Sequence, residues 1–350
     1  MVRVLIVDDS AFMRNALSSM LSSDPEIQVV GLARDGQEGV EKVIQLNPDV
    51  VTMDVEMPRL DGLGALKQIM ERHPVPVIMV SSLTTDDAKV TLDALDLGAV
   101  DFIPKNLSNL SIDIVKIKEV LINKVKEIAK KARPRRKPAV AKKMENGHES
   151  PPMPVRTTGE RRISVVAIGS STGGPKALQE IIPRLPKEFP VPIIIAQHMP
   201  ATFTGPFAQR LNELSQIAVK EAKEGDVLKP GLVLIAPGGG HMRVQRRRSL
   251  ETVISISDAI EDYIYRPSVD ALMLSVSECF PGRALGVILT GMGNDGVKGM
   301  KVMKQGGARI FAQNEESCVV YGMPKAVVDA GIADKILAVE EIAGEMVNSV

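Results

Sequence analysis

A serine, a histidine and an aspartate, residue types that can act together in acyl transfer, stand near the ends of apolar runs in this chain. Ser171 lies in Gly169-Ser170-Ser171-Thr172-Gly173, His198 follows "VPIIIAQ", and Asp295 lies in "LTGMGNDG". A serine hydroxyl is a poor nucleophile until a base takes its proton, and the base must itself be oriented by a third group. The chain has four histidines. His73 falls in a loop and His148 in a Pro- and Gly-rich stretch, which leaves His198 and His241, the latter after "APGGG". His198 is the better placed, because Ser171 and His198 end consecutive predicted strands. Asp295 ends another, and backbone N–H groups in its glycine loop can bind an oxyanion. The stretch "VVAIGSSTGGPKAL" also reads as a phosphate loop at a helix start. However, Pro175 stands where a P-loop needs lysine, and the second strand ends in Gln197 and His198 where a dinucleotide fold needs an acid. Pro175 suits the first helical position, which would set Ser171 at the positive end of a helix.

A second set lies nearer the start of the chain. Asp8 and Asp9, Asp54, Ser81 and Ser82, and Lys105 all end predicted strands. Converging carboxylates without partners repel. A hard divalent cation such as Mg²⁺ resolves that repulsion with carboxylates and retained waters. A lysine and a hydroxyl beside it suit the oxygens of a phosphoryl group.

Both sets need strands that end together. Before residue 130 the runs "VRVLIVDD", "IQVVGLA", "DVVTMDV", "PVIMVSS" and "DFIPK" alternate with helical patterns near Ala11–Leu21, Gly36–Gln45, Leu63–Arg72, Ala88–Leu97 and Ile112–Ala132. Five such units predict a parallel sheet covered on both faces. The alternation resumes at "ISVVAIGS", "VPIIIAQ", "GLVLIAP", "ALGVILT" and "ARIFAQ", while "HMRVQRRRSLETVISIS" predicts an antiparallel hairpin. The fold class is α/β twice over: an N-terminal (βα)5 domain over 1–125 and a doubly wound, mostly parallel domain with an attached hairpin over 161–350. Residues 126–160 form a linker, basic from Lys130 to Lys143 and then rich in Pro, Gly, Ser and Thr.

Composition narrows the function classes. Formal net charge is zero, which gives no electrostatic case for nucleic acid or membrane binding, and the basic run carries no aromatics to stack on bases. Two cysteines, Cys279 and Cys318, provide neither a disulfide framework nor a C-x-x-C metal pair. No apolar run approaches the roughly 18 residues a membrane span needs. Acids follow the first apolar run directly, unlike a secretory signal. The expected compartment is the cytoplasm, without membrane insertion.

"LIVDDSAFMR", "VTMDVEMPRLDG", "IMVSS" and "DFIPK" resemble the receiver domain of response regulators. The resemblance implies that Asp54 accepts phosphate from a histidine kinase. It implies that Asp9, Asp54 and the backbone carbonyl of Glu56 hold Mg²⁺, with Asp8 helping through water. It makes Ser81 the switch hydroxyl, Phe102 the switch aromatic and Lys105 the lysine of the pocket. Where the family usually has Lys-Pro, this chain has Pro104-Lys105-Asn106.

"AIGSSTGGPKAL", "IAQHMP", "LIAPGGGHM", "YRPSVDALM", "ILTGMGNDG" and "AQNEESCVVYGMP" are similar to the CheB family of chemotaxis protein-glutamate methylesterases. That resemblance implies hydrolysis of glutamate methyl esters on the cytoplasmic helices of chemoreceptors, and deamidation of receptor glutamines, as in some members. It makes Ser171 the nucleophile, His198 the base, Asp295 its orienter, and the N–H groups of Thr172 and Met292 the oxyanion hole, with no cofactor at the esterase site. Ser170 stands where the family often has alanine. Rival readings are a non-enzymatic regulator whose output domain binds a partner or DNA, and a nucleotide-dependent output domain.

Overall fold

The computed structural model describes residues 1–82, 84–105, 112–132, 162–247, 251–258 and 263–350. Five strands, β1 (Val2–Val7), β2 (Ile27–Ala33), β3 (Val50–Asp54), β4 (Val77–Ser81) and β5 (Asp101–Pro104), form one parallel sheet in the order β2-β1-β3-β4-β5. Helices α1 (Ala11–Ser22), α2 (Gly36–Leu46), α3 (Gly62–Arg72), α4 (Thr85–Asp96) and α5 (Ile112–Ala132) follow the strands in turn. β3 and β4 are buried along their whole length. Both their faces are covered, which is why they read as unbroken apolar runs. Side-chain caps start the helices: Asp35 accepts from the Glu38 N–H, Asp61 from Gly64, and Thr84 from Asp87. The Thr84 cap starts α4 three residues before the expected Ala88. Residues 133–161, with most of the expected linker, lie outside the described residues, as does Asn106.

The second sheet holds seven strands, all parallel, in the order β14-β13-β12-β6-β7-β9-β8. These are β6 (Val165–Ser170), β7 (Ile193–Gln197), β8 (Ala218–Glu221), β9 (Leu232–Ile235), β12 (Ala284–Ile288), β13 (Arg309–Gln313) and β14 (Lys335–Leu337). The chain winds outward from β6 through β7 to β9 and β8, then returns to β12 on the other side of β6. Strand order therefore reverses between β6 and β12, and ligand sites of open α/β sheets gather at such a point. The expected hairpin is present: β10 (His241–Arg246) pairs antiparallel with β11 (Thr252–Ser257) as a separate ribbon. Helices α6 (Gly174–Ile181), α7 (Ala201–Leu214), α8 (Val269–Cys279), α9 (Val297–Gln305), α10 (Met323–Asp329) and α11 (Val339–Ser349) complete the domain. Among the described residues no helix is long and apolar enough to cross a membrane.

The two halves pack through α4, α5 and β5 of the first and α7 and the 315–321 loop of the second. The rings of Phe102 and Phe203 stack, with centroids 4.4 Å apart. Arg210 on α7 pairs with Asp93, at 2.7 Å, and with Asp96 on α4. Val320 is buried in the apolar cluster that includes Leu121 and Val125 of α5, and Met292 and Val319 pack against the same cluster.

Candidate active site and acid pocket

Ser171, His198 and Asp295 follow β6, β7 and β12, the three central strands at the switch point. β6 and β7 run in register with Ser170 opposite Gln197, so Ser171 and His198 are each one residue past a paired position. The His198 N–H donates to the Ser170 carbonyl at 3.0 Å, which ties the two loops together. Gly291, in the loop after β12, approaches so closely that an added Cβ would lie 2.8 Å from the Ser171 Cβ. A side chain there would displace the serine. Gly173 has φ +77 and caps α6, a left-handed conformation suited to glycine. α6 begins at Gly174, so Pro175 is its second residue rather than its first.

The histidine and the acid meet directly. His198 Nε2 lies 2.8 Å from Asp295 Oδ2. The same carboxylate accepts from the Ser268 hydroxyl (3.1 Å) and from the N–H groups of Val269 (2.8 Å) and Asp270 (3.0 Å). Ser268 caps α8, so Asp295 sits against the positive end of that helix. Burial alone would push the Asp295 carboxyl up, but the hydrogen bond and charge of His198 and the α8 N–H groups hold it below its ordinary value. An ionised carboxylate oriented in this way fixes an imidazole with Nε2–H toward the acid. Nδ1 is left buried and, among the described residues, without a hydrogen-bond partner. The Ser171 hydroxyl is beside this pair in the fold, yet no hydrogen bond joins it to His198 among the described residues. The N–H groups of Thr172 and Met292 likewise have no acceptor among them. Thr172 and Met292 follow Ser171 and Gly291, the two residues of this close approach.

His241, the alternative base, is fully buried at the start of β10 with its ring tilted against Tyr263. Tyr265 escaped the sequence reading. Its ring stacks on that of His198 with centroids 4.1 Å apart and planes 15° from parallel. Gln197 and the three α8 donors escaped it too. Ser268 before "VDALM" carried a helix-cap signal, but nothing in the sequence linked that cap to a loop 27 residues later.

In the first domain Asp8, Asp9 and Asp54 each bring an oxygen within 4.8 Å of the others. Lys105 Nζ lies 2.6 Å from Asp54 Oδ2 and 3.4 Å from Asp8 Oδ2. Burial pushes the Asp54 carboxyl up to about 6 against the pull of Lys105, with the Asp8 charge adding to the rise. Burial raises Asp8 as well. Two carboxyls held so unwillingly as anions, beside an exposed third, suit a hard divalent cation. Ser81 stands next to Asp54's partner Val80, but its hydroxyl accepts from Thr91 at 2.8 Å and donates to the Ser82 carbonyl. Glu56 is exposed just beyond β3.

Residues 166–346 match the CheB methylesterase family, and residues 4–114 match the response regulator receiver domain. The chain is 53% identical to protein-glutamate methylesterase/protein-glutamine glutaminase 2 of Nitratidesulfovibrio vulgaris, over 99% of each chain. It is 51% identical to protein-glutamate methylesterase/protein-glutamine glutaminase 1 of Oleidesulfovibrio alaskensis, over 100% of each. The crystal structure of the Thermotoga maritima CheB methylesterase catalytic domain is similar at a TM-score of 0.53 and 41% identity, covering 54% of this chain and 100% of that one. With an N-terminal receiver joined to a hydrolase domain whose strand-end serine, histidine and aspartate converge, the chain belongs to the CheB methylesterase family.

Proposed function

We propose that this chain is a phosphorylation-regulated serine hydrolase that converts glutamate methyl esters of chemoreceptors into glutamate and methanol, and receptor glutamines into glutamate and ammonia. The observation that carries the reading is the His198–Asp295 hydrogen bond, anchored on the α8 N-terminus beside Ser171. In this reading Ser171 Oγ attacks the γ-carbonyl carbon and its proton passes to His198 Nδ1, the nitrogen not engaged by Asp295. Negative charge moves to the carbonyl oxygen, which the N–H groups of Thr172 and Met292 receive. The C–O bond to methoxide breaks as His198 returns the proton, and methanol leaves. Water, deprotonated by the same nitrogen, then attacks the glutamyl–Ser171 ester, and His198 returns the proton to Ser171 Oγ as the acyl bond breaks, releasing glutamate. Asp295 stabilises the imidazolium throughout and stays ionised.

Asp54 is the phosphoacceptor in this reading, with a histidine kinase as donor. Asp9, Asp54 and the Glu56 carbonyl, with Asp8 helping through water, would hold Mg²⁺, which would supply positive charge for the phosphoryl oxygens. Lys105 pairs with the phosphoryl group, and Ser81 leaves Thr91 to meet it. The protein works in the cytoplasm, as residues 1–125 (receiver), 126–160 (linker) and 161–350 (esterase), with no role for nucleic acid.

The test is methanol release from methylated receptor, with and without a small-molecule phosphodonor, alongside titration with a serine-directed phosphonate. Stoichiometric labelling of Ser171 and phosphodonor-stimulated release are expected. Release that persists in Ser171→Ala would overturn the nucleophile assignment.

A further inference from the structure

The ends of β6 and β7 carry one side-chain amide that touches both loops of the catalytic pair. Gln197 Nε2 donates to the Ser171 carbonyl at 2.9 Å and to the His198 carbonyl at 3.0 Å. Its Oε1 accepts from the Ser170 hydroxyl at 2.6 Å. Ser170 and Gln197 are both buried and directly opposite in register. A primary amide is the neutral side chain that carries two donors on one nitrogen. Both hydrogens are used here, each on a carbonyl that can only accept. Were the amide turned over, its oxygen would face two other oxygens and lose both bonds. The hydroxyl of Ser170, which can donate, fixes the orientation by holding Oε1. The amide also lies across the first residue of α6: a Cβ on Gly174 would stand 2.0 Å from Oε1 and 2.8 Å from the Ser170 Cβ. Glycine at that position gives the amide its place.

We propose that Gln197, oriented by Ser170, is a positioning residue for the esterase reaction. Its amide holds the backbones of Ser171 and His198 in one geometry and so sets the attacking oxygen against its base. The inference rests on the assignment of Ser171 and His198 as nucleophile and base. It gives the Ser170 hydroxyl, as the donor to Oε1, a role that alanine cannot fill. A buried carbonyl that loses its donor is costly, and a displacement of about 1 Å at a reacting group costs on the order of 100-fold in rate.

The test uses the full chain with Mg²⁺ and phosphodonor on methylated receptor, comparing Gln197→Met, Ser170→Ala, their double variant and Ser171→Ala. In each, kcat and KM for methanol release and the rate of labelling by a fluorophosphonate are measured. Gln197→Met is expected to lower kcat roughly 100-fold and Ser170→Ala roughly tenfold, with KM within about threefold and labelling slowed in parallel. The double variant is expected to match Gln197→Met, because the two residues act through each other. Unchanged kcat in both single variants, or a change in KM alone, overturns the inference provided Ser171→Ala is inactive. An active Ser171→Ala instead overturns the nucleophile assignment beneath it. Should Gln197→Met fail to fold, Ser170→Ala decides alone: a tenfold fall in kcat at constant KM supports the inference, and wild-type kcat overturns it.

Discussion

The Phe102 ring at the end of the receiver sheet stacks on the Phe203 ring in the first turn of α7, with centroids 4.4 Å apart and planes 20° from parallel. Phe203 is five residues beyond His198, and its N–H is held by the Pro200 carbonyl. Phe102 is three residues before Lys105, which pairs with Asp54. One aromatic contact therefore lies between the acid pocket and the loop that carries His198. On the opposite flank, Val320 packs in the α5 cluster and its carbonyl accepts from the Gly291 N–H, next to Met292. The receiver thus touches both sides of the esterase site.

Removing the stack should loosen that hold. A stacked aromatic pair is worth about 0.5–1.5 kcal/mol beyond its buried area. Phe102→Ala is therefore expected to raise methanol release by the unphosphorylated chain several-fold and to blunt the response to phosphodonor. Arg210→Ala, which breaks two partly exposed ion pairs to α4, should do the same more weakly, since such pairs are worth at most about 1 kcal/mol. The check is basal and stimulated release in both variants. A Phe102→Ala chain as silent as wild type without phosphodonor would remove the stack from the regulatory path.

The triad should behave as one unit. Ser171→Ala, His198→Ala and Asp295→Ala are each expected to cost several orders of magnitude in kcat, and Ser171→Ala/His198→Ala should be no worse than the poorer single change. Steady-state release on one receptor preparation measures all four. Full activity in His198→Ala would move the base to His241 despite its burial against Tyr263.

Much of this arrangement was legible in the sequence because strand ends are. Continuous buried runs such as "IIIAQ" and "VVAIGS" mark central parallel strands, and whatever follows them faces the common edge. β8 and β14 escaped for the opposite reason. They are four- and three-residue edge strands with charged, exposed positions, and their periodicity carries no signal. The contacts around the triad escaped because they are tertiary. Tyr265 reaches His198 across 67 residues by the path of a loop, and Asp295 meets the α8 N-terminus through chain reversal at β12. Neither relation has a local spacing to read. Ser81 was placed correctly at its strand end, but the sequence could not show that its hydroxyl turns to Thr91.

The acid pocket predicts a pH-dependent stability. Asp54 titrates near 6 in the fold and near 3.8 when unfolded. Between those values the folded state binds more protons, so its stability falls as pH rises through the window. Asp54→Asn removes that loss. In chelator, the variant's gain in Tm over wild type should be larger at pH 8 than at pH 4.5, up to about 3 kcal/mol in free energy. Mg²⁺ should raise the wild-type Tm and reduce the difference, because the cation binds only the folded pocket. Calorimetry at the two pH values, with chelator and with Mg²⁺, measures both effects. A gain independent of pH would mean that Asp54 carries no burial penalty.

The last prediction separates inhibition from recruitment. In the proposed reading, phosphorylation would add negative charge at Asp54, and is expected to draw Lys105 and the Ser81 hydroxyl toward it and to displace Phe102 from Phe203. If the docked receiver restrains the site, a fragment starting near Gly159 lacks both the Phe102 stack and the α5 cluster that packs beside Met292. Weakening the docked state by about 2 kcal/mol raises a rare open population roughly 30-fold. The fragment is therefore expected to release methanol faster than the unphosphorylated full chain and to ignore phosphodonor. Side-by-side rates on one methylated receptor measure this. A fragment no faster than the unphosphorylated whole chain would mean that the receiver does not restrain the site. The contacts at Phe203 and Val320 would then serve to position the catalytic domain for its receptor, and activation by phosphate would work through that positioning.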